Sequence, residues 1–156
     1  GFFIGVATVV TKLLLQAMPD AAYFGEKDYQ QLCLVRRLAA DLDIPVEIAA
    51  CPIVRDPSGL ALSSRNAYLS DDQRAMAPGL NRALGQAAEA IRGGEDMAVA
   101  TATATAAILG AGFAKVDYVA VRAAASLEPA EKYDGNQRIL AAAWLGDVRL
   151  IDNRDI

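Results

Sequence analysis

Ala21-Ala22-Tyr23-Phe24-Gly25, followed by Glu26-Lys27-Asp28-Tyr29-Gln30-Gln31, is the stretch that decides the fold. Its first four residues are a short apolar run closed by glycine, which predicts a buried strand. A helical pattern begins at about Lys27 and runs to Asp41, with Leu32, Val35, Leu38 and Leu42 on one face. Upstream, Val6, Val9, Val10, Leu13, Leu14 and Ala17 recur at helical spacing between Gly5 and Met18, and Pro19-Asp20 ends that helix. Downstream, Val46-Glu47-Ile48-Ala49-Ala50 reads as another strand. Helix, strand, helix and strand with short connections are the rhythm of a parallel α/β sheet.

The character changes near Arg55. Arg55-Asp56-Pro57-Ser58-Gly59 is rich in turn formers, and Ser63-Ser64-Arg65-Asn66 is polar. Ser70-Asp71-Asp72-Gln73 predicts a capping box, followed by a helix bent at Pro78 that stops at Gly93-Gly94. A second helix over Asp96 to Leu109 is rich in alanine and weakened by its threonines. Val116 to Arg122 alternates, Arg138 to Leu145 is apolar, and Val148 to Ile151 follows across Gly146-Asp147 as a hairpin. Trp144, set among alanines in the most apolar strand, is expected to be largely buried. The chain thus divides into an α/β domain over residues 1–54 and a small α+β domain over 55–156.

Composition narrows the function classes. The 156 residues carry a net charge of −4, and only Arg36-Arg37 places two basic residues side by side, so no nucleic-acid footprint exists. No apolar run reaches the ~18 residues of a membrane span. With no histidine, the chain can supply neither a Ser-His-Asp triad nor a histidine base. Cys33 and Cys51 lie in apolar segments without zinc-ligand spacing, and read as two reduced core thiols of a cytoplasmic protein. Gly1-Phe2-Phe3-Ile4 has no initiator Met and runs straight into the first helix, and is read as the boundary of a piece.

Two stretches could carry chemistry. Gly25-Glu26-Lys27-Asp28-Tyr29-Gln30-Gln31 stands where a strand ends and a helix begins, the place where open α/β sheets bind ligands. Helix amides there suit a phosphate, Lys27 adds charge, Asp28 can accept from ribose hydroxyls, and Gln31 can hold an alcohol or carboxylate. The same residues also read as a charged, well-capped first turn. In Leu60-Ala61-Leu62-Ser63-Ser64-Arg65-Asn66, two hydroxyls beside an arginine suit a polyphosphate. That stretch also reads as a solvated loop before a helix cap.

Three motifs weigh between these readings. Tyr23 to Gln31, Gly59-Leu60-Ala61-Leu62-Ser63-Ser64-Arg65-Asn66-Ala67-Tyr68-Leu69, and Ala142-Ala143-Trp144-Leu145-Gly146-Asp147-Val148-Arg149-Leu150-Ile151-Asp152-Asn153 resemble the pantothenate synthetases (pantoate–β-alanine ligases), in that family's order and spacing. The similarity extends over essentially the whole chain. It implies a partial Rossmann-like domain of the class I synthetase and nucleotidyltransferase type, followed by a small C-terminal lid domain. It implies condensation of pantoate with β-alanine through a pantoyl adenylate, with ATP and its Mg²⁺ counter-ion, in a cytoplasmic enzyme that dimerises when complete.

By motif, the resemblance places Lys27 at the ATP phosphates and Asp28 with the Gly25 backbone at the ribose. It places Gln31 at pantoate, Val54 against adenine, and Ser63, Ser64 and Arg65 in the phosphate-binding loop. The family's histidine-containing nucleotide motif, a second pantoate-binding glutamine and the acidic residues near the metal belong upstream of anything in this chain. Alone, the chain is therefore expected to be inactive. Where the family shows Gly-His-Phe-Arg-Gly-Val, this chain has Gly1-Phe2-Phe3-Ile4-Gly5-Val6. The rival readings are a related adenylyl-transferring enzyme acting on another carboxylate, and a non-catalytic product that binds nucleotide weakly or only folds and associates.

Overall fold

The computed structural model describes the backbone of residues 1–156 and every side chain except that of Phe2. The chain forms two compact units, Gly1–Ile53 and Val54–Ile156. In the first, α1 (Phe2–Ala17) ends where Met18 turns left-handed at φ 44° and its N–H reaches the Leu14 carbonyl at 2.8 Å. Strands β1 (Ala21–Gly25) and β2 (Glu47–Cys51) pair in parallel, with Gly25 opposite Cys51. A 3₁₀ turn (Glu26–Asp28) and α2 (Tyr29–Asp41) connect them. Of the two positions that depart from the family's polar pattern, Ile4 is 71% exposed and the Phe2 side chain lies outside the described residues.

Three expectations for this unit need correcting. Leu42 is exposed, because the helix has already turned away from its buried face. Asp43 takes the left-handed position at φ 50°, its N–H bonds Ala40, and Ile44 bonds back to Ala39 at 2.9 Å. That is a Schellman stop with aspartate in glycine's usual place, and it gives Leu42's burial to Ile44. β1 is not a buried strand: successive side chains face opposite ways, and Tyr23 stands 73% exposed while Ala22 and Phe24 are half-buried. Cys33 and Cys51 are half-buried and form no disulfide.

The second unit is a meander of β3 (Lys115–Ala123), β4 (Gln137–Leu145) and β5 (Val148–Asp155), antiparallel throughout. Gly146-Asp147 closes the β4–β5 hairpin with a positive φ at Gly146, the type II′ pattern. β5 runs four residues beyond the apolar stretch, because pairing continues to Arg138 opposite Asp155. α4 (Gly79–Arg92) and α5 (Met97–Gly110) form its core with the sheet: Leu84, Ile91 and Ile108 join Ile139, Ala141 and Leu145, each at most 1% exposed. At their contact, a Cβ on Gly79 would stand 2.7 Å from that of Ala111, so only glycine fits.

The capping box forms as read: Ser70 Oγ accepts from the Gln73 amide, and Gln73 returns the bond to Ser70. The single bent helix does not form. Proline lacks the N–H that would continue the ladder, so α3 (Asp71–Met76) and α4 are separate helices flanking Pro78. In α5, Asp96 caps the Ala98 and Val99 amides, and the Thr101 and Thr105 hydroxyls donate back to carbonyls one turn earlier.

β3 does not alternate simply. A bulge at Asp117 sets Val116 opposite Ala143 and Tyr118 opposite Ala142, so Val116, Val119 and Val121 all reach the core face. Asp117 is left on the other face, where it takes Arg149 Nε at 2.8 Å, Lys115 Nζ at 3.0 Å and Trp144 Nε1 at 3.0 Å. Trp144 is accordingly half-buried instead of largely buried: it stands on the outer face, between core residues Ala143 and Leu145.

Leu84→Ala should cost roughly 2–5 kcal/mol in urea unfolding of the second unit, while Leu109→Ala, at a 46% exposed position, should stay within about 0.5 kcal/mol. Hydrogen bonds from Arg149 and Lys115 hold the Asp117 carboxyl down at about 2. Its stabilising effect is therefore present above the ordinary aspartate range and is lost as pH falls from about 4 towards 2. The stability difference between wild type and Asp117→Asn, followed by denaturation at each pH, should be full at neutral pH and shrink through that window.

Candidate functional site

Gly25, Lys27, Asp28 and Gln31 come together at the carboxyl end of β1 and the start of α2. The strand ends at Gly25, the 3₁₀ turn lifts Lys27 and Asp28 off it, and Gln31 follows on the first turn of α2. The turn is not capped by the side chains at its N-cap positions. Neither Gly25 before the turn nor Asp28 before α2 makes a side-chain cap, so no side chain occupies these amides from the N-cap position. Gly25 has an ordinary φ of −71°, and an added Cβ would meet nothing within 4 Å. The fold itself has no use for glycine there, and the backbone lies open to an approaching molecule. Asp28 is exposed, Lys27 and Gln31 are half-buried, and the Gln31 amide makes no hydrogen bond to the described residues.

The other candidates lie in the second unit. Val54, placed by its sequence at the end of the α/β domain, is the first residue of this unit. Its carbonyl accepts from Leu62 at 2.9 Å, which brings it beside Ser63. Its side chain is 65% exposed. Between Val54 and Leu62 the chain folds back on itself. Arg55 bridges Ala61, and Asp56 Oδ1 accepts from the amides of Ser58 and Leu60.

A 3₁₀ helix over Ser64–Tyr68 follows, with Ser63 Oγ accepting from the Arg65 amide at 3.2 Å. The loop is held at both ends and open in the middle. Leu60, Ala61, Asn66 and Leu69 are buried, whereas Ser64 and Arg65 are exposed. The Arg65 guanidinium makes no hydrogen bond or ion pair to the described residues.

Four residues without a sequence-assigned role hold this loop. Asn66 Nδ2 donates to the Ala61 carbonyl at 3.0 Å, Arg74 donates to the Asn66 carbonyl at 2.8 Å, and Arg55 grips Asp152 through two bonds of 2.6 and 2.8 Å. Asn66 Oδ1 is buried without a partner. A signal for Asp152 exists in the sequence. In the period of β5, Asp152 follows Val148 and Leu150 on the core face, and a carboxylate there demands a cation. Nothing in the local pattern identifies that cation as Arg55, 97 residues away.

Among the described residues no three acidic or cysteine side chains converge in a way that could hold a metal ion. No helix among them is long and apolar enough to cross a membrane.

The chain resembles known proteins in both sequence and fold. The pantoate-beta-alanine ligase family model matches residues 1–155. Pantothenate synthetase from Rhizorhabdus wittichii is 60% identical over 153 residues, covering 98% of this chain and 54% of that protein. The Paramagnetospirillum magneticum pantothenate synthetase matches at the same identity and coverage. The crystal structure of pantothenate synthetase from Thermus thermophilus superposes with a TM-score of 0.91 at 44% identity, covering 97% of this chain and 55% of that one. The Francisella tularensis pantoate-beta-alanine ligase, complexed with beta-gamma ATP and beta-alanine, gives 0.70 at 35% identity, with 97% and 49% covered. The chain thus spans about half the length of the relatives it matches.

The two sides of the loop should separate in a stability assay. Asn66→Ala, which releases the Ala61 carbonyl inside the protein, should cost about 1–3 kcal/mol. Arg65→Ala should stay within about 0.5 kcal/mol. Urea unfolding of the second unit measures both.

Proposed function

Since the chain belongs to the pantoate–β-alanine ligase family, we propose that it supplies half of a site for ATP-dependent condensation of pantoate with β-alanine. The observation that carries this reading is the Gly25–Gln31 turn. It has an open glycine backbone, α2 amides that the Asp28 side chain at the N-cap does not occupy, and a lysine, a carboxylate and an amide within one turn. In the first half-reaction a pantoate carboxylate oxygen attacks the α-phosphorus of ATP and pyrophosphate leaves. In the second, the β-alanine amine attacks the acyl carbon and AMP leaves.

Lys27 faces the phosphates and offsets the charge that builds towards pyrophosphate. Asp28 accepts from the ribose hydroxyls beside the Gly25 backbone, and Gln31 orients pantoate. In the second unit Ser63, Ser64 and Arg65 clamp the triphosphate, and the exposed Val54 packs on adenine as this unit acts as a lid. This is catalysis by position and preorganised charge, with no covalent enzyme intermediate. Mg²⁺ enters as the counter-ion of ATP, and no residue of this chain is assigned to it. The same reading makes the complete enzyme a cytoplasmic homodimer.

The test uses a completed enzyme, in which this chain continues the N-terminal half of a family member. Lys27→Ala and Arg65→Ala should each slow single-turnover pyrophosphate release by about 100-fold or more, the loss typical of one preorganised electrostatic partner. Gln31→Ala should mainly raise the KM for pantoate, because a neutral amide orients without neutralising charge. If Lys27→Ala releases pyrophosphate at the normal rate and slows only the later attack by β-alanine, Lys27 does not face the phosphates.

A further inference from the structure

The motif Ala142–Asn153 contributes no residue to either group of candidate contacts, yet its end reaches the loop of the second group. We propose that Asp152 and Arg55 are positioning residues for the Ser63–Arg65 loop and set how it meets ATP. The proposal rests on that loop being the phosphate-binding element.

Asp152 stands on the core face of β5, opposite Ala141, and its side chain is 4% exposed. Its two oxygens take Arg55 Nη1 at 2.6 Å and Nη2 at 2.8 Å, and Oδ1 also takes the Asn153 amide at 2.8 Å. Arg55 Nη1 donates further to the Gly59 carbonyl at 3.1 Å. Two residues along the same strand, Arg154 donates to Asn81 Oδ1 at 3.1 Å. The Asn81 Nδ2 lies 3.0 Å from where a Gly59 Cβ would stand. β5 thus holds the 55–59 turn directly through Asp152 and borders it through Arg154 and Asn81.

The turn transmits that placement. Inside it, Asp56 N–H reaches the Leu60 carbonyl at 3.0 Å and Leu62 N–H reaches Val54 at 2.9 Å. The Ala61 carbonyl then receives Asn66 Nδ2, which closes the loop around Ser63, Ser64 and Arg65. Every link in this chain is a directional hydrogen bond, and the first is a planar fork on a carboxylate. A fork fixes orientation as well as distance, which a lysine ammonium does not. The register of the Ser63 and Ser64 hydroxyls and of Arg65 is therefore referred to the rigid sheet through one ion pair. A misplacement of about 1 Å in such a group costs on the order of 100-fold in rate.

The test uses the completed enzyme with Arg55→Lys and with the neutral pair Arg55→Gln/Asp152→Asn. The double variant leaves no buried charge unpaired, whereas removing one partner alone strands the other. Both should raise the KM for ATP and slow pyrophosphate release, by about ten- to a hundredfold in kcat/KM, with the KM for pantoate and for β-alanine unchanged. Amide exchange at Leu60, Leu62 and Asn66 should quicken together. A purely structural pair would lower kcat through the active fraction alone and leave all three KM values in place. That result, or a wild-type KM for ATP with loop amides already exchanging faster, overturns the proposal. Arg65→Ala is the control on the underlying reading. If it also leaves the KM for ATP and pyrophosphate release unchanged, the loop is not the phosphate element and the fault lies there. If Arg65→Ala is impaired and the Arg55 and Asp152 variants are not, only the positioning role fails.

Discussion

A carboxylate on the core face of a strand has to be answered by a cation, and in the second unit the answer at Asp152 determines the course of a whole loop. Removing either partner would leave a charge with little water to solvate it, a loss of about 3–5 kcal/mol. The pair as a whole adds little net stability over an apolar replacement of the same volume. What it contributes is direction. The two parallel bonds fix the orientation of the Arg55 guanidinium, and the chain leaving Arg55 turns through Asp56-Pro57-Ser58-Gly59, where Asp56 Oδ1 takes the Ser58 and Leu60 amides. Gly59 is needed at φ 93°, a conformation that side chains resist.

The same economy of contacts separates structure from chemistry along the loop. Residues that hold it turn inward: Leu60, Ala61, Asn66 and Leu69 are buried. Residues that would meet a ligand point out and make few bonds of their own. The first unit repeats the division. Tyr29, Leu32, Val35 and Ala39 anchor α2, while Asp28 and Gly25 at its entrance lie open. Polar groups that the fold leaves unused, on a backbone that the fold holds still, are what a preorganised binding surface requires.

Much of this was legible in the chain of letters. Helical periodicity and apolar runs located the strands and the longer helices, because burying one face of an element leaves its pattern in the sequence, but they ran α3 and α4 together across Pro78 and passed over the 3₁₀ turns at Glu26–Asp28 and Ser64–Tyr68. The capping box at Ser70 and the Gly146-Asp147 hairpin were readable because their chemistry is local. Three motifs in order identified the family and with it the candidate contacts. What escaped was non-local or broke a local rule. The Asp117 bulge inserts a residue that no alternation announces, and it moves Trp144's partner to the outer face. Asp43 stops α2 without the glycine that usually marks such an end.

The sequence by itself determined the fold class, the element order and the residue types offered to a ligand, since each follows from periods and motifs within a few residues. Only the tertiary structure decided which of those residues are free to act and which are held. Asp56 and Arg65 are both charged and both lie near a turn. One is committed to the amides of Ser58 and Leu60, whereas the other projects outward without a partner among the described residues. Arg55 and Asp152 are the extreme case. Their charges are plain in the sequence, but the pairing joins positions 97 residues apart. It exists because the sheet brings β5 against the turn, and burial there leaves each charge no other means of losing its water.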